Sequence, residues 1–290
     1  MRANRAGRLR RSTVIARRWV TPRIVRLTVA GDLADFVDQG TDQHVAFYHY
    51  PPEAIVPEDL APEQLRELHE FAMPQVRRYT IRRWYPGVEE IDFDVVVHQP
   101  AGLAAGWAEE AAVGDSLLWW GPTSAWHLPE GPRRLLLVGD ETALPAIDAV
   151  LSSLPEQVSA QVVAEVADAR DEAYLAEHAG RAQITWVHRG EPDGVPHDGL
   201  LAAVRSLPAV PGETAVWAGV EFATAGALRR WFIGERGYSK DQAFIVSYWI
   251  HGQAQDMRAD ARARERTARN READPVRARE HVRLGADVID

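Results

Sequence analysis

The sequence predicts a β plus α/β protein. An antiparallel β-barrel spans residues 12–131, and a doubly wound parallel α/β domain follows over 132–252. Three observations predict this. The first part carries short alternating apolar runs separated by Pro and Gly turns. From residue 133 onward apolar strands alternate with helical stretches, the order that favours a parallel sheet with helices on both faces. The chain has 290 residues, 46% of them hydrophobic and 26% charged, which is an ordinary globular composition with room for two modest cores.

The elements follow in order. Residues 1–11 are basic without acids and are expected to be disordered. The segment 12–31 reads as two antiparallel strands around Thr21-Pro22, and DQHVAFYHYP (42–51) as a further strand. Residues 52–75 are Pro-rich and acidic, an insertion with one amphipathic helix near 62–72. VRRYTIRRWY (76–85) and EIDFDVVVH (90–98) are strands flanking Pro86-Gly87; 103–112 suits a helix and 115–122 a strand. Beyond 133, strands at 133–139, 159–166, 183–189, 214–219 and 243–249 alternate with helices at 142–154, 171–179, 197–207 and 222–237. Residues 253–290 are a charged extension without aromatics, read either as a solvated helix or tail or as a segment docked onto the body or a partner.

Composition excludes several classes. A net charge of −9 argues against nucleic acid as the main partner, because phosphates need clustered cations. The absence of cysteine removes disulfides, thiolate zinc sites, iron–sulfur clusters and cysteine nucleophiles. No apolar run approaches the roughly 20 residues of a membrane span, and the Arg-rich start has no apolar segment after it. A cytoplasmic monomer without a membrane or nucleic-acid partner is expected. His44 and His49 share one strand and read as structural or substrate-facing residues rather than metal ligands; no metal site is expected.

Doubly wound sheets bind ligands beyond the carboxyl ends of their strands, at the point where strand order reverses. LLLVGDETALPA (135–146) lies at such a strand-to-helix turn, yet Asp140 and Glu141 stand where glycines normally cradle phosphate. Like charges repel, so a phosphate there would use Thr142, Ala143 backbone groups or Arg189. The acids would cap the helix or touch sugar and amide groups. WAGVEFATAG (217–226) repeats the pattern with Gly219 and Glu221. Glu165 and Asp168 close the next strand, with Arg170 and Arg189 close in sequence, so both NADH and NADPH are compatible.

RRYTIR (77–82) admits two readings: an exposed Arg-rich strand with a cross-strand Tyr, or a flavin cradle. In the second, Arg77 pairs with a diphosphate, the Tyr79 ring lies on an isoalloxazine face and Thr80 hydrogen-bonds a ring nitrogen. Some 20 residues on, His98, the turn at Gly102 and a helix start at Leu103, Ala104 and Ala105 offer backbone N–H groups to a pyrophosphate.

These pieces together resemble the siderophore-interacting proteins, FAD-dependent ferric-siderophore reductases of the ferredoxin–NADP reductase superfamily. The resemblance spans roughly residues 17–252 and rests on VTPRIVRLTVAGDL, DQHV, RRYTIR, DFDVVVHQPAGLAAGWA, LLLVGDETALPAI and the YW–G ending. It implies FAD between the two domains. NADPH, NADH or a ferredoxin supplies electrons, and a ferric siderophore accepts them. Asp140 and Glu141 with Gly139, Thr142 and Ala143, and Glu221 with Gly219, would border the nicotinamide cleft, and Trp249 would lie near the flavin. The implied logic is that a flavin accepts two electrons and passes them singly to ferric ion.

Some positions depart from the family pattern. Ala46, Ser124 and Ile250 stand where the family tends to carry basic residues around an anionic chelate, and Ala105 replaces a frequent Ser. The resemblance thus implies a kept flavin site and an altered acceptor pocket rich in Trp119, Trp120, Trp126 and Trp249. Two alternatives stay open: an FAD-dependent reductase of an organic acceptor, or a degenerate non-catalytic member.

Overall fold

The computed structural model describes residues 7–97, 103–190, 198–208, 210–252 and 257–283. Six strands close into an antiparallel barrel: β1 (Arg8–Thr21), β2 (Ile24–Ala30), β3 (Gln43–His49), β4 (Gln75–Tyr85), β5 (Glu90–Val96) and β6 (Ser116–Ser124), in the spatial order β1-β2-β5-β4-β3-β6. Helix α1 (Pro62–Phe71) sits in the connection between β3 and β4, and α2 (Leu103–Glu110) between β5 and β6. Alternation sets the inward face: Val45 and Phe47, Ile81, and Ile91 and Phe93 meet Trp119 in one buried cluster.

Five parallel strands form the second sheet: β7 (Arg134–Gly139), β8 (Ser159–Val166), β9 (Ala182–His188), β10 (Thr214–Glu221) and β11 (Ala243–Trp249), ordered β11-β10-β7-β8-β9. The order reverses between β7 and β10. Helices α3 (Leu144–Ser153), α4 (Gly199–Ser206) and α5 (Phe222–Arg229) cover the faces, α5 running on into a wider π-helical stretch, Arg230–Glu235. The central strands β7 and β10 are largely apolar, as burial on both faces requires, and β10 is buried along its whole length, whereas the edge strand β9 is half-exposed.

The structure differs from the sequence expectation in two places, and at the C-terminus it takes the second of the two readings left open. Arg8–Arg11 are not disordered: they pair with Leu118–Gly121 of β6 and close the barrel. Their charge is met by acids far along the chain, Arg8 and Arg10 both reaching Asp35 at 2.7 Å. The segment Ala169–His178 forms 3₁₀ turns, irregular at Leu175, rather than an α-helix. Buried side-chain tethers explain it: Asp171, Tyr174 and His178 each reach a partner in the barrel or α3, which fixes the backbone at spacings a regular helix does not match. The charged C-terminal residues form α6 (Met257–Ala273) and α7 (Pro275–His281), docked on the insertion between β3 and β4.

That docking uses little apolar surface. Ala278 and Val282 are buried against Leu68, Phe71 and Ala72. The rest is polar: Asn270 Nδ2 donates to the Glu70 carbonyl at 2.9 Å, Arg271 Nε to the Phe71 carbonyl at 2.6 Å, and Arg277 pairs with Glu67 at 2.7 Å. Val282 forms a bridge with Ala54.

The barrel and the parallel sheet share a core. Ile24 and Trp126 lie in the same buried cluster as Leu137, Ile147 and Trp217. Around it runs a buried ionic network. Arg26 grips Asp94 through two hydrogen bonds of 2.7 Å, and Tyr174 donates to the same carboxylate. Arg82 on β4 meets Asp148 on α3 at 3.0 Å and Glu177 at 2.8 Å, and His178 Nε2 is 3.0 Å from Asp148. Asp148, Glu177 and His178 lie within 4.8 Å of one another, a spacing a metal could use, but the Arg82 guanidinium sits among them. No helix among the described residues is long and apolar enough to cross a membrane.

Candidate functional site

The reversal between β7 and β10 puts Gly139 directly beside Gly219 in register. Neither position has room for a side chain. A Cβ on Gly139 would come within 2.6 Å of Ala143 Cβ, and one on Gly219 within 3.0–3.2 Å of the Trp217 and Tyr248 rings. The two strand ends are glycine because the turn after β7 and the Trp217 and Tyr248 rings pack directly on their backbones; they lie at the switch point, where a doubly wound sheet binds its ligands.

Each strand end is followed by an acid that serves its own helix. Asp140 accepts from Thr142 N at 2.9 Å and from the Thr142 hydroxyl at 2.5 Å. Its other oxygen accepts the Trp249 indole N–H at 2.8 Å. Glu221 accepts from Ala223 N and Thr224 N at the start of α5, and from His251 N at 3.2 Å. Such caps satisfy donors that a helix start leaves open.

Glu141 does something different. Its carboxylate turns away from α3 and accepts Ala167 N at 2.7 Å and Arg189 Nη2 at 2.9–3.0 Å. Arg189 also reaches Glu165 at 3.4 Å. Burial pushes the Glu141 carboxyl up to about 7 despite the opposing pull of Arg189. The groups expected to receive a phosphate here thus have internal partners: Thr142 N and the Ala143 N–H on Asp140, Arg189 on two carboxylates.

The barrel side of the switch point is β4. Its two faces are both used. Tyr79 points with Arg77 and Ile81; its ring packs 4.7 Å from Phe47 and on the Val25, Leu27 and Val95 cluster, on which Ala105 and Trp107 of α2 also pack. Thr80 and Arg82 point the other way, toward the parallel sheet, and both are buried. Thr80 and Asp42 lie close enough to Tyr248 to act on its hydroxyl, which burial holds strongly protonated. Burial also pushes the Asp42 carboxyl up to about 7, with the Trp217 indole opposing the shift.

Arg77 bonds only its own strand among the described residues, at the Val76 carbonyl (2.8 Å) and Gln75 Oε1 (3.3 Å). It has no carboxylate partner there. Opposite Gln75 in register sits His49. The His49 ring is buried against Phe47 and Trp107, and its Nε2 has no hydrogen-bond partner. Burial and the nearby Arg77 charge hold the imidazole down at about 4, hence neutral. A cation without a counter-ion, an aromatic ring, a helix start and an orphaned buried nitrogen on one continuous face fit an anionic aromatic cofactor such as a flavin nucleotide. Ala104 and Ala105 lie in the first turn of α2, which starts at Leu103; His98 and Gly102 fall outside the described residues.

The acceptor-pocket residues do not all meet. Ala46 lies on β3 between Arg78 of β4 and Trp120 of β6. Ser124 pairs with Gln43 at the end of the β3/β6 ladder and donates to the Trp126 carbonyl at 3.3 Å. Ile250 is exposed beside Trp249. Trp119 is a correction: it is fully buried in the barrel core with its indole N–H on Ser12 Oγ at 3.1 Å, so it lines no pocket. Arg78 was missed. It is exposed and directly opposite Ala46, so the surface around Ala46 is cationic, not neutral. Its charge, after burial, holds His44 below the usual imidazole range. The signal was the alternation of β4, which puts Arg78 on the Thr80 face, but the register with Ala46 needed the sheet.

A closed antiparallel barrel leading into a parallel sheet, with a flavin-compatible strand at the switch point, defines an FAD-dependent oxidoreductase. The chain belongs to the siderophore-interacting protein family: residues 13–126 match the siderophore-interacting FAD-binding domain and residues 132–252 the siderophore-interacting protein domain. It is similar to the ferric vibriobactin reductase ViuB of Vibrio cholerae, with 27% identity covering 83% of this chain and 89% of that one. It is equally similar, at 27%, to the NADPH-dependent ferric-chelate reductase of Escherichia coli, covering 83% and 93%. Among solved structures, a siderophore utilization protein from T. fusca superposes with a TM-score of 0.70 at 31% identity, covering 86% and 95%.

Proposed function

We propose that the chain reduces a ferric siderophore, taking electrons from NADPH, NADH or a ferredoxin and passing them through FAD to chelated Fe(III), so that Fe(II) is released. The observation that carries this is β4, which presents Arg77 and Tyr79 on one face and Thr80 on the other, beside Tyr248 of the parallel sheet. The names borne by the Vibrio and Escherichia relatives agree with it.

Bound FAD supplies the conversion of a two-electron donor to one-electron steps. The chain's own residues do the rest. Arg77 binds the diphosphate, Tyr79 orients the ring system and Thr80 bonds its polar edge. A nicotinamide would approach at the β7/β10 switch point, and Trp249, anchored on Asp140, walls that side. Arg78 draws the anionic chelate to the β3–β4–β6 face, in the place of the missing basic residues at Ala46, Ser124 and Ile250.

The test is the visible spectrum of the purified chain with added FAD, followed by anaerobic turnover with NADPH, NADH or reduced ferredoxin and an Fe(II)-trapping dye. Retained flavin and donor-dependent Fe(II) are expected. Retained flavin with donor oxidation that needs no ferric chelate would replace this reading with reduction of an organic acceptor. A chain that holds no FAD would overturn it.

A further inference from the structure

The flavin-compatible face of β4 does not end at Arg77. Two residues toward the start of the strand, about 7 Å along it, Gln75 lies on the same side and bonds Arg77. There the face opens into a cavity of about 290 Å³, walled on one side by β3 and β4 and on the other by α6. The orphaned Nε2 of His49 belongs to a side chain lining it. So do Met73, Ala268 and the buried Thr267. Arg264 and Arg271 of α6 add charge. The one acid in the wall, Glu53, is met by Arg271 at 3.6 Å, whereas Arg264 has no carboxylate partner among the described residues.

We infer that this cavity holds the adenylate half of FAD, and that the C-terminal extension is therefore part of the flavin site. The inference rests on the flavin reading above and extends it. A dinucleotide whose diphosphate lies on Arg77 must place its nucleoside beyond that residue. The cavity is the space available there, with a volume just below the ~300–1,000 Å³ of drug-sized sites. Its chemistry suits a nucleotide: Met73 and Ala268 offer apolar surface to a purine, the neutral imidazole of His49 and the Gln75 amide offer edge hydrogen bonds, and Arg264 adds a cation to the α6 wall. The matched family domains end at residue 252, so α6 lies beyond them.

The experiment is titration of the full-length chain, freed of flavin, with FAD and with FMN, which lacks the adenylate. Two variants accompany the wild type: Arg264→Glu, an exposed site, and Ala268→Trp, which fills the cavity. Circular dichroism melts establish that each is folded. Wild type is expected to bind FAD at least about tenfold more tightly than FMN. Each variant is expected to lose about tenfold in FAD affinity, ~1.4 kcal/mol, with FMN binding unchanged within about twofold. An FAD-to-FMN ratio unaltered in both folded variants, or an equal loss for both flavins, overturns the adenylate assignment while leaving the flavin site standing. A wild-type chain that binds neither flavin overturns both.

Discussion

The Trp249 indole donates to Asp140 across an intervening strand, joining the end of β11 to the turn after β7 at 2.8 Å. Asp140 thereby does two jobs, since its other oxygen caps the helix that follows. Trp249→Phe should remove one hydrogen bond and cost about 1 kcal/mol. Asp140→Ala should remove the cap as well and cost about 2–3 kcal/mol. Urea unfolding of the two variants checks the ranking; equal losses would show that the cap contributes nothing.

Arg82 is the only cation bonded to Asp148 among the described residues, apart from His178 when protonated. Arg82→Met should leave a buried carboxylate without its guanidinium and destabilise the protein by about 3–5 kcal/mol. The double variant Arg82→Met with Asp148→Leu should recover much of that, because replacing a whole buried pair by apolar groups is often neutral. A double variant no better than the single one would locate the loss in packing.

Asp42 and Glu141 both have folded-state values near 7, raised above their unfolded values by burial. In the unfolded chain both are already ionised by about pH 5. Between about pH 4 and 7 the folded state therefore binds more protons, and the contribution of these two groups falls as pH rises. Asp42→Asn should be more stable than wild type at pH 8, with the gap closing toward pH 5. Denaturation curves at the two pH values measure it; a gap that widens in acid would reverse the assignment.

Arg78 stands opposite Ala46 on an exposed face. Under the proposed function, Arg78→Ala should raise the KM for an anionic ferric chelate by about tenfold while flavin content stays the same. Steady-state kinetics with anionic and neutral chelates separate this from a general defect, since only the anionic one should respond.

The barrel and the parallel sheet were legible because their patterns are local. β4 alternates, β10 is apolar from Ala215 to Val220, and the strand–glycine–acid–helix sequences at 135–146 and 214–226 are short and self-contained. What stayed hidden depends on register or on distant partners. Nothing in RRYTIR tells that Arg78 faces Ala46, and nothing in the Trp-Trp pair tells that Trp119 is the fully buried one while Trp120 is half-buried opposite Ala46. The partners of Glu141 lie 26 and 48 residues away. The extension hid its docking most completely: its buried apolar side chains are few, and it is held through backbone carbonyls of α1 that no side-chain pattern encodes.

Asn270 and Arg271 find those carbonyls 200 residues earlier in the chain. A wall built this way has a timetable. At roughly 5–20 residues per second, α1 and its strands leave the ribosome some 10–40 s before their covering helices exist. During that interval the cavity beside His49 stands open on one side. The barrel can collapse early, but the cavity it carries gains its second wall only when α6 arrives.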